Sequence, residues 1–392
     1  MIRLLQQYVE RYPDLSDSEL AKKVTSEHSE LLEDYKEDSI RRKISFLREL
    51  PPDLSKIPPR LLRKALEEFI LEKKLVKKKE ILSEFNIDYH LLDDIVIEMK
   101  LRGYNIQADD EFIRLLPFTI DLSHRQINID IFDDNWLKFG ALGDTHLGSY
   151  YERLDILNAL YDIYAKEGIT TVFHCGNWIA GESRLNQHEV KVHGVDGQIE
   201  YFVDNYPFRE GITTYFISGD DHEGWWQRED GFRNLGLYAQ YARESGGKHD
   251  LKYLGYLEAN VDIIHPRTKA KSDLRLTHPG GGTAYAVSYQ IQKLIESYIN
   301  DKPQILLVGH YHKYDKLFYR NVWAVQTACI EDQSVFMRKG HNQAILGGCI
   351  IWVNQAPDGS INRFRDEFIP FFDEKYYERR GYFRQPQEMV LK

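Results

Sequence analysis

The stretch LKFGALGDTHLG, residues 137–148, decides the fold. It opens as a β-rich apolar run and stops at Gly143, ahead of the ligand-type side chains of Asp144 and His146. These two lie two apart, so on an extended segment both point to one face. The same shape returns in TTVFHCGNW (170–178), TTYFISGDDHEG (213–224) and QILLVGHYHKYD (304–315). Between these runs lie stretches of helical character: ERLDILNALYDIYAKEG (152–168), VDGQIEYFVDNYPFREG (195–211) and SYQIQKLIESYIND (288–301). Strand then helix, repeated, predicts an α/β layered domain. The carboxyl ends of its strands bring their loops to one edge, where α/β sheets commonly build sites.

Outward from this centre the pattern changes. Tyr319 to about Phe372 is richer in strands, with a turn at Pro357–Asp358–Gly359, and a charged, aromatic tail follows. On the amino-terminal side, Leu20, Val24, Leu31 and Leu32 have helical spacing, with Ser16 and Glu19 as a capping box. DSIRRKISFLREL (38–50) reads as the next helix, and the prolines of PPDLSKIPP (51–59) break the chain. Further on come helix, a turn at Asn86–Ile87–Asp88, helix, Gly103 and two short β-like runs. That is the order of a winged helix-turn-helix. The expected domains are a helix-turn-helix-like unit (1–50), a winged-helix-like unit (56–120), the layered α/β domain (136–375) and a tail (376–392).

Composition is that of an ordinary soluble globular chain, at 42% hydrophobic and 29% charged over 392 residues. The net charge of −10 argues against a general polyanion binder, so nucleic-acid contact must come from local basic patches. The three cysteines, Cys175, Cys329 and Cys349, are too few and odd in number for a disulfide framework. No signal core or membrane-length apolar stretch is visible, and the expectation is a cytoplasmic protein without membrane contact.

Five strand ends deliver ligand-type residues: Asp144 and His146; Asn177; Asp221, His222 and Glu223; His278; His310 and His312. Mixed imidazole and oxygen donors suit Mn, Fe, Zn or Ni. A pair of divalent ions supplies what phosphoester hydrolysis needs, a hydroxide near neutral pH and charge neutralisation. In this order the set resembles the calcineurin-like metallophosphoesterase superfamily, over roughly Leu137 to Asp332. Its pattern is D-x-H, GD, GNH(D/E), a lone His and GHxH. The resemblance implies a four-layer α/β/β/α domain. It implies a first metal on Asp144, His146 and His312 and a second on His278 and His310, with Asn177 and Asp221 at the remaining metal positions. The metals are two divalent ions, manganese first, with Fe, Zn, Ni or Mg as alternatives. It also implies catalytic roles for His222, on the phosphoryl group and leaving oxygen, and for Glu223, orienting His222.

Two positions depart from that pattern. The usual bridging aspartate is Asn177, and the usual asparagine of GNH is Asp221. The carboxylate and the amide are merely exchanged, which favours a working site of altered geometry. A weakened site and an engineered Asn177 stay open, and Ala180, where many relatives carry a second acidic residue, adds to that question. His174 reads as a packing residue. His188 and His193 are candidates to face a substrate, and Trp225 and Trp226 either stack on a base or cover the core.

DTHLG looks most like the branch containing DNA-repair exonucleases. Between Lys56 and Lys79, Lys56, Arg60, Arg63, Lys64, Lys73, Lys74, Lys77, Lys78 and Lys79 outnumber Glu67, Glu68 and Glu72. Such clusters give salt-dependent phosphate contacts; a solvated helix face is the equal alternative. The leading expectation is a nuclease with nucleic acid, DNA ahead of RNA, as partner of the helical region. The alternatives are a phosphodiesterase or phosphatase on a small nucleotide or phosphoprotein, and a weakened DNA-binding regulatory protein. A tight pocket closed by residues 182–197 favours the small substrate, and an open channel lined with Lys and Arg favours nucleic acid.

Overall fold

Three helices open the chain: α1 (Ile2–Arg11), α2 (Asp17–Glu27) and α3 (Glu37–Glu49). The computed structural model describes residues 2–28, 37–50, 57, 59–116, 124–127, 136–184, 186–230, 233–282 and 284–380, and the chain falls into two units, 1–117 and 118–392. Ser16 caps α2 as its sequence predicts: its hydroxyl accepts from the Glu19 amide while the Glu19 carboxylate accepts from the Ser16 amide. Leu20, Ala21 and Val24 of α2 pack on Ile40, Ile44 and Leu47 of α3. They also cover Leu5 of α1, a helix absent from the sequence reading. Leu31 and Leu32 lie outside the described residues.

The rest of the first unit runs α4 (Pro59–Lys73), β1 (Leu75–Lys77), α5 (Lys78–Phe85), α6 (Tyr89–Leu101), β2 (Ile106–Ala108) and β3 (Phe112–Leu115), with an antiparallel sheet in the order β1-β3-β2. The turn at 86–88 is built by its own residues. Asn86 takes the left-handed conformation (φ 50°) that ends α5, and Asp88 caps α6 by accepting from the Leu91 amide.

In the second unit the order is β4 (His124–Ile127), β5 (Trp136–Leu142), α7 (Leu154–Lys166), β6 (Thr171–His174), α8 (Val195–Asn205), β7 (Thr213–Ser218), α9 (Glu223–Asp230), α10 (Leu235–Ser245), β8 (Leu251–Tyr256), β9 (Glu258–Ile264) and β10 (Lys271–Thr277). It continues with α11 (Tyr289–Ser297), β11 (Ile305–Val308), β12 (Asp315–Tyr319), β13 (Val322–Gln326), α12 (Val335–Lys339), β14 (Leu346–Gln355), β15 (Ile361–Phe371) and α13 (Glu374–Arg379). Two six-stranded sheets form, β15-β14-β5-β6-β7-β8 and β12-β13-β11-β10-β9-β4. β5 to β8 are parallel neighbours, as are β10, β11 and β13 around β11.

The apolar runs explain the layering. Phe139, Phe173, Ile217 and Ile351 of one sheet meet Val261, Leu274, Leu307 and Val325 of the other in a buried apolar seam. The opposite faces are buried too: Val172 and Phe216 lie under Leu157, Leu160 and Phe202, while Leu306 and Val308 lie under Ile291 and Ile295. Each such side chain contributes about 1.5–3 kcal/mol on burial. Strands buried on both faces read as continuous apolar runs, and the result is the α/β/β/α arrangement. The ends of β5, β6 and β7 and those of β10 and β11 meet at one edge, where the His310 amide donates to Asp144 Oδ2 across the sheets (2.9 Å).

Candidate metal centre

Three of the strands at this edge, β5, β6 and β11, run into ligand-type residues that turn the backbone out of the sheet. Asp144, His146, Asn177, His310 and His312 all have positive φ, at 51°, 44°, 52°, 82° and 53°. The expectation of an extended Asp144–His146 segment is therefore corrected. The two side chains converge because both residues are left-handed, and the same holds for His310 and His312. Such conformations cost about 1–3 kcal/mol each and persist only where surroundings fix them. Here the loops brace one another: Asp144 N donates to Gly176 O, His146 N to Asn177 O and Ile330 N to Asp144 O, each at 3.0 Å. Gly176 is needed for close approach, because a Cβ there would stand 2.5 Å from His278 Nδ1.

Two donor groups result, Asp144 with His146 and His312, and Asp221 with His278 and His310. In the first, His146 Nε2 lies 3.1 Å from His312 Nε2, and Asp144 Oδ1 lies 3.3 Å from His312 Nε2 and 3.8 Å from His146 Nε2. In the second, Asp221 Oδ1 is 3.7 Å from His278 Nε2, and Oδ2 is 3.5 Å from His310 Nδ1. The groups adjoin, with Asp144 Oδ1 4.0 Å from His278 Nε2. Backbone carbonyls fix the rings. His278 Nδ1 donates to Cys175 O at 2.6 Å and His310 Nε2 to Gly281 O at 2.7 Å. Each therefore turns its other nitrogen, bare, toward Asp221, as metal-binding histidines are held.

Asn177 and Asp221 are in contact, with the amide Nδ2 donating to Asp221 Oδ1 at 3.2 Å. Asn177 Oδ1 is left buried and unbonded, as are Asp144 Oδ1 and His278 Nε2. Unsatisfied buried polar atoms cost about 1–3 kcal/mol each. Several of them converging on one spot fit divalent ions, and this mixed N/O set fits Mn, Fe, Zn or Ni. Without ions, protons take that role. Burial would lower His278, but Asp144 and Asp221 lift it to about 9. Burial works against Asp144 as an anion, yet His312, His146 and His278 hold it well below the usual carboxylate range.

Glu223 differs from its expected role. Its Oε1 accepts from Asn177 N (3.0 Å) and Gly219 N (2.8 Å), so it fixes the two loops and not the His222 ring. Burial raises it to about 7. His222 is oriented instead by the Ala180 carbonyl, which accepts from Nδ1 at 2.6 Å, and its ring packs edge-on to His146. Ala180 thus acts through its backbone. His174, buried, pairs with Thr145 Oγ1 at 3.0 Å and supports the Asp144–His146 loop. Trp226 packs against the core beside α8 and α10, while Trp225 sits under Arg228.

Above the donors lies a cavity of about 430 Å³. His146, Asn177, Asp221, His222, His310 and His312 form its floor, with Ser183, Asn186, Glu189 and Val190 from the 182–197 loop and Phe336 and Met337 from α12 around it. His188 and His193 do not line it; His193 pairs with Glu182. No lysine or arginine among the described residues lines it. The sequence reading missed Glu331, which is buried there with Oε1 accepting from Ser149 Oγ (2.8 Å). It stands outside every motif, and only its place shortly after GHxH in the strand order hinted at it.

A family model for the calcineurin-like phosphoesterase superfamily domain matches residues 137–334. No curated protein sequence matches the chain. Among solved structures, an archaeal phosphodiesterase is similar at 15% identity and a TM-score of 0.32, covering 59% of this chain and 100% of that one. Zinc-complexed Vps29 from Entamoeba histolytica gives 12% and 0.29, covering 60% and 100%. The 5'-nucleotidase precursor from Thermus thermophilus gives 13% and 0.33, covering 65% and 59%. The family model spans just over half of the 392 residues, and the chain belongs to the calcineurin-like phosphoesterase superfamily.

Proposed function

We propose that the protein is a two-ion phosphoesterase acting on a compact phosphoester, a nucleotide-sized phosphodiester or phosphomonoester. The carrying observation is the pair of adjoining donor groups at the floor of a bounded cavity with no lysine or arginine among the described residues of its lining. Asp144, His146 and His312 would hold one ion, manganese being our first choice, and Asp221, His278 and His310 the other. Asn177 would offer a neutral oxygen beside them. Two bound divalent ions supply an acidified water and neutralise phosphoryl charge. The rest is done by the chain. His222, whose Nδ1 donates to Ala180 O, would present Nε2 to the phosphoryl group. Carrying protons on both ring nitrogens, it would pass the Nε2 proton to the leaving oxygen and be left as the neutral Nδ1–H imidazole. Glu223 keeps the Asn177 and Gly219 loops in register. The 182–197 loop and α12 limit what fits.

The nuclease reading keeps one observation in its favour, the helix–strand–helix–helix–strand–strand order of residues 59–115. Charge speaks against it. Lys43, Arg63, Lys73 and Lys78 are paired with Glu68, Glu98, Glu80 and Asp93. Helix α6, in the position of a recognition helix, carries Asp93, Asp94 and Glu98 against Lys100. The buried, free thiols agree with a reducing, cytoplasmic setting, and no helix among the described residues is long and apolar enough to cross a membrane. The test compares Mn²⁺-dependent hydrolysis of bis(p-nitrophenyl) phosphate, p-nitrophenyl phosphate and nucleotides with that of single- and double-stranded DNA and RNA. We expect turnover of the small esters and intact polymers. Polymers cleaved in preference to small esters would replace this reading with the nuclease.

A further inference from the structure

Glu331 lies on the connection from β13 to α12, in a part of the chain without a ligand motif. The residue is 6% exposed and lines the cavity. Two ties fix it. The backbone on either side is pinned by Arg153 N donating to Ile330 O and Asp332 N to Tyr151 O. The side chain is held by Ser149, whose own amide donates to His146 O at 3.0 Å. Glu331 is thus built onto the loop that carries Asp144 and His146. Its second oxygen, Oε2, is 3.8 Å from His146 Nε2, the same separation as Asp144 Oδ1 from that nitrogen.

A buried carboxylate with one hydroxyl donor is costly unless a cation compensates it. A histidine that ligates a metal is neutral and supplies no charge. Asn177 brings no charge where a carboxylate is expected, so the centre has one anionic oxygen, from Asp144, in its first group. We propose that Glu331 is a further carboxylate of that first group, which through one water would complete the charge around an ion held there. This inference rests on the two-ion reading above.

The test measures Mn²⁺ binding to the full chain by EPR titration and metal analysis, without substrate. E331Q keeps an acceptor for Ser149 and removes only the charge. We expect it to bind one of two ions about 10–100-fold more weakly, the range seen when groups around a metal are altered, and the other unchanged. Its metal-free thermal midpoint should not fall, because an uncompensated buried charge has been removed. E331D keeps the charge on a shorter arm and should lose less than E331Q. Two ions bound by E331Q as tightly as by the native chain would overturn the proposal while leaving the two-ion site intact. So would an equal loss in E331D and E331Q, which would mean that position, not charge, matters. A native chain that binds no Mn²⁺ would overturn both readings together.

Discussion

Asn177 Nδ2 donates to Asp221 Oδ1 across 3.2 Å, so the two residues that have exchanged their expected identities are in contact. A contact pair can exchange partners without moving the charge far. Asp221→Asn alone removes the only carboxylate of the second group. It should cost on the order of 100-fold in kcat/KM and release one ion. Asn177→Asp alone sets two carboxylates side by side, raising the pH at which the site loads. The double variant should recover at least about tenfold over Asp221→Asn, the coupling expected of contacting residues. Strict additivity in that cycle would mean that the pair does not share an ion. A gain in hydrolysis from Asn177→Asp alone would identify the native chain as a weakened enzyme.

His222 lines the cavity but belongs to neither donor group. His222→Asn should therefore lower kcat by about 10²–10⁴-fold, the usual worth of a positioned acid, with both ions retained. Loss of an ion in metal analysis would make His222 a ligand and refute the assignment.

Stability of the metal-free protein should fall as pH rises from about 7 to 9. At lower pH His146, His174 and His310, lowered by burial, add stability as pH rises and oppose the trend. Burial raises Glu223 from 4.5 to about 7. It does the same to Glu331, against the pull of His312. Asp144 and Asp221, outweighing burial, raise His278 from 6.5 to about 9. A group raised in the folded state stabilises below its unfolded pKa and stops doing so as pH passes its folded one. Asp144 and Asp221 are shifted the other way and lose their contribution only in acid. Thermal midpoints in EDTA across this range check the slope. Added Mn²⁺ should reverse it, because ligands must be deprotonated to bind.

Gly176 has φ 91°, and a side chain there would meet the His278 ring. Gly176→Ala should cost about 1–3 kcal/mol of stability and weaken the second ion. A variant as stable as the native chain with both ions bound would contradict the packing described.

Most of the fold was legible because it rests on periodicity and abrupt strand ends. Runs such as ILLV at 305–308 are buried throughout and had to be apolar. The capping box at Ser16 and the turn at Asn86 were legible because short-range hydrogen bonds decide them. The donors were legible as residue types at strand ends; their conformations were not. Left-handed Asp144 and His146 are imposed by loops from distant strands, which local spacing does not register. Glu223 on the Asn177 amide and Glu331 beside Ser149 depend in the same way on contacts remote in sequence. The place of His188 and His193 in the segment after Asn177 points to the right loop, but that loop turns Ser183, Asn186 and Glu189 to the cavity instead.

The central claim is that this edge of the two sheets holds two ions. Crystals of the native chain grown with Mn²⁺, measured at the manganese absorption edge, test it most directly. Two anomalous peaks about 3.5–4 Å apart are expected, one among Asp144, His146 and His312 and one among Asp221, His278 and His310. A single peak, or none, at full Mn²⁺ occupancy of the solution would contradict it.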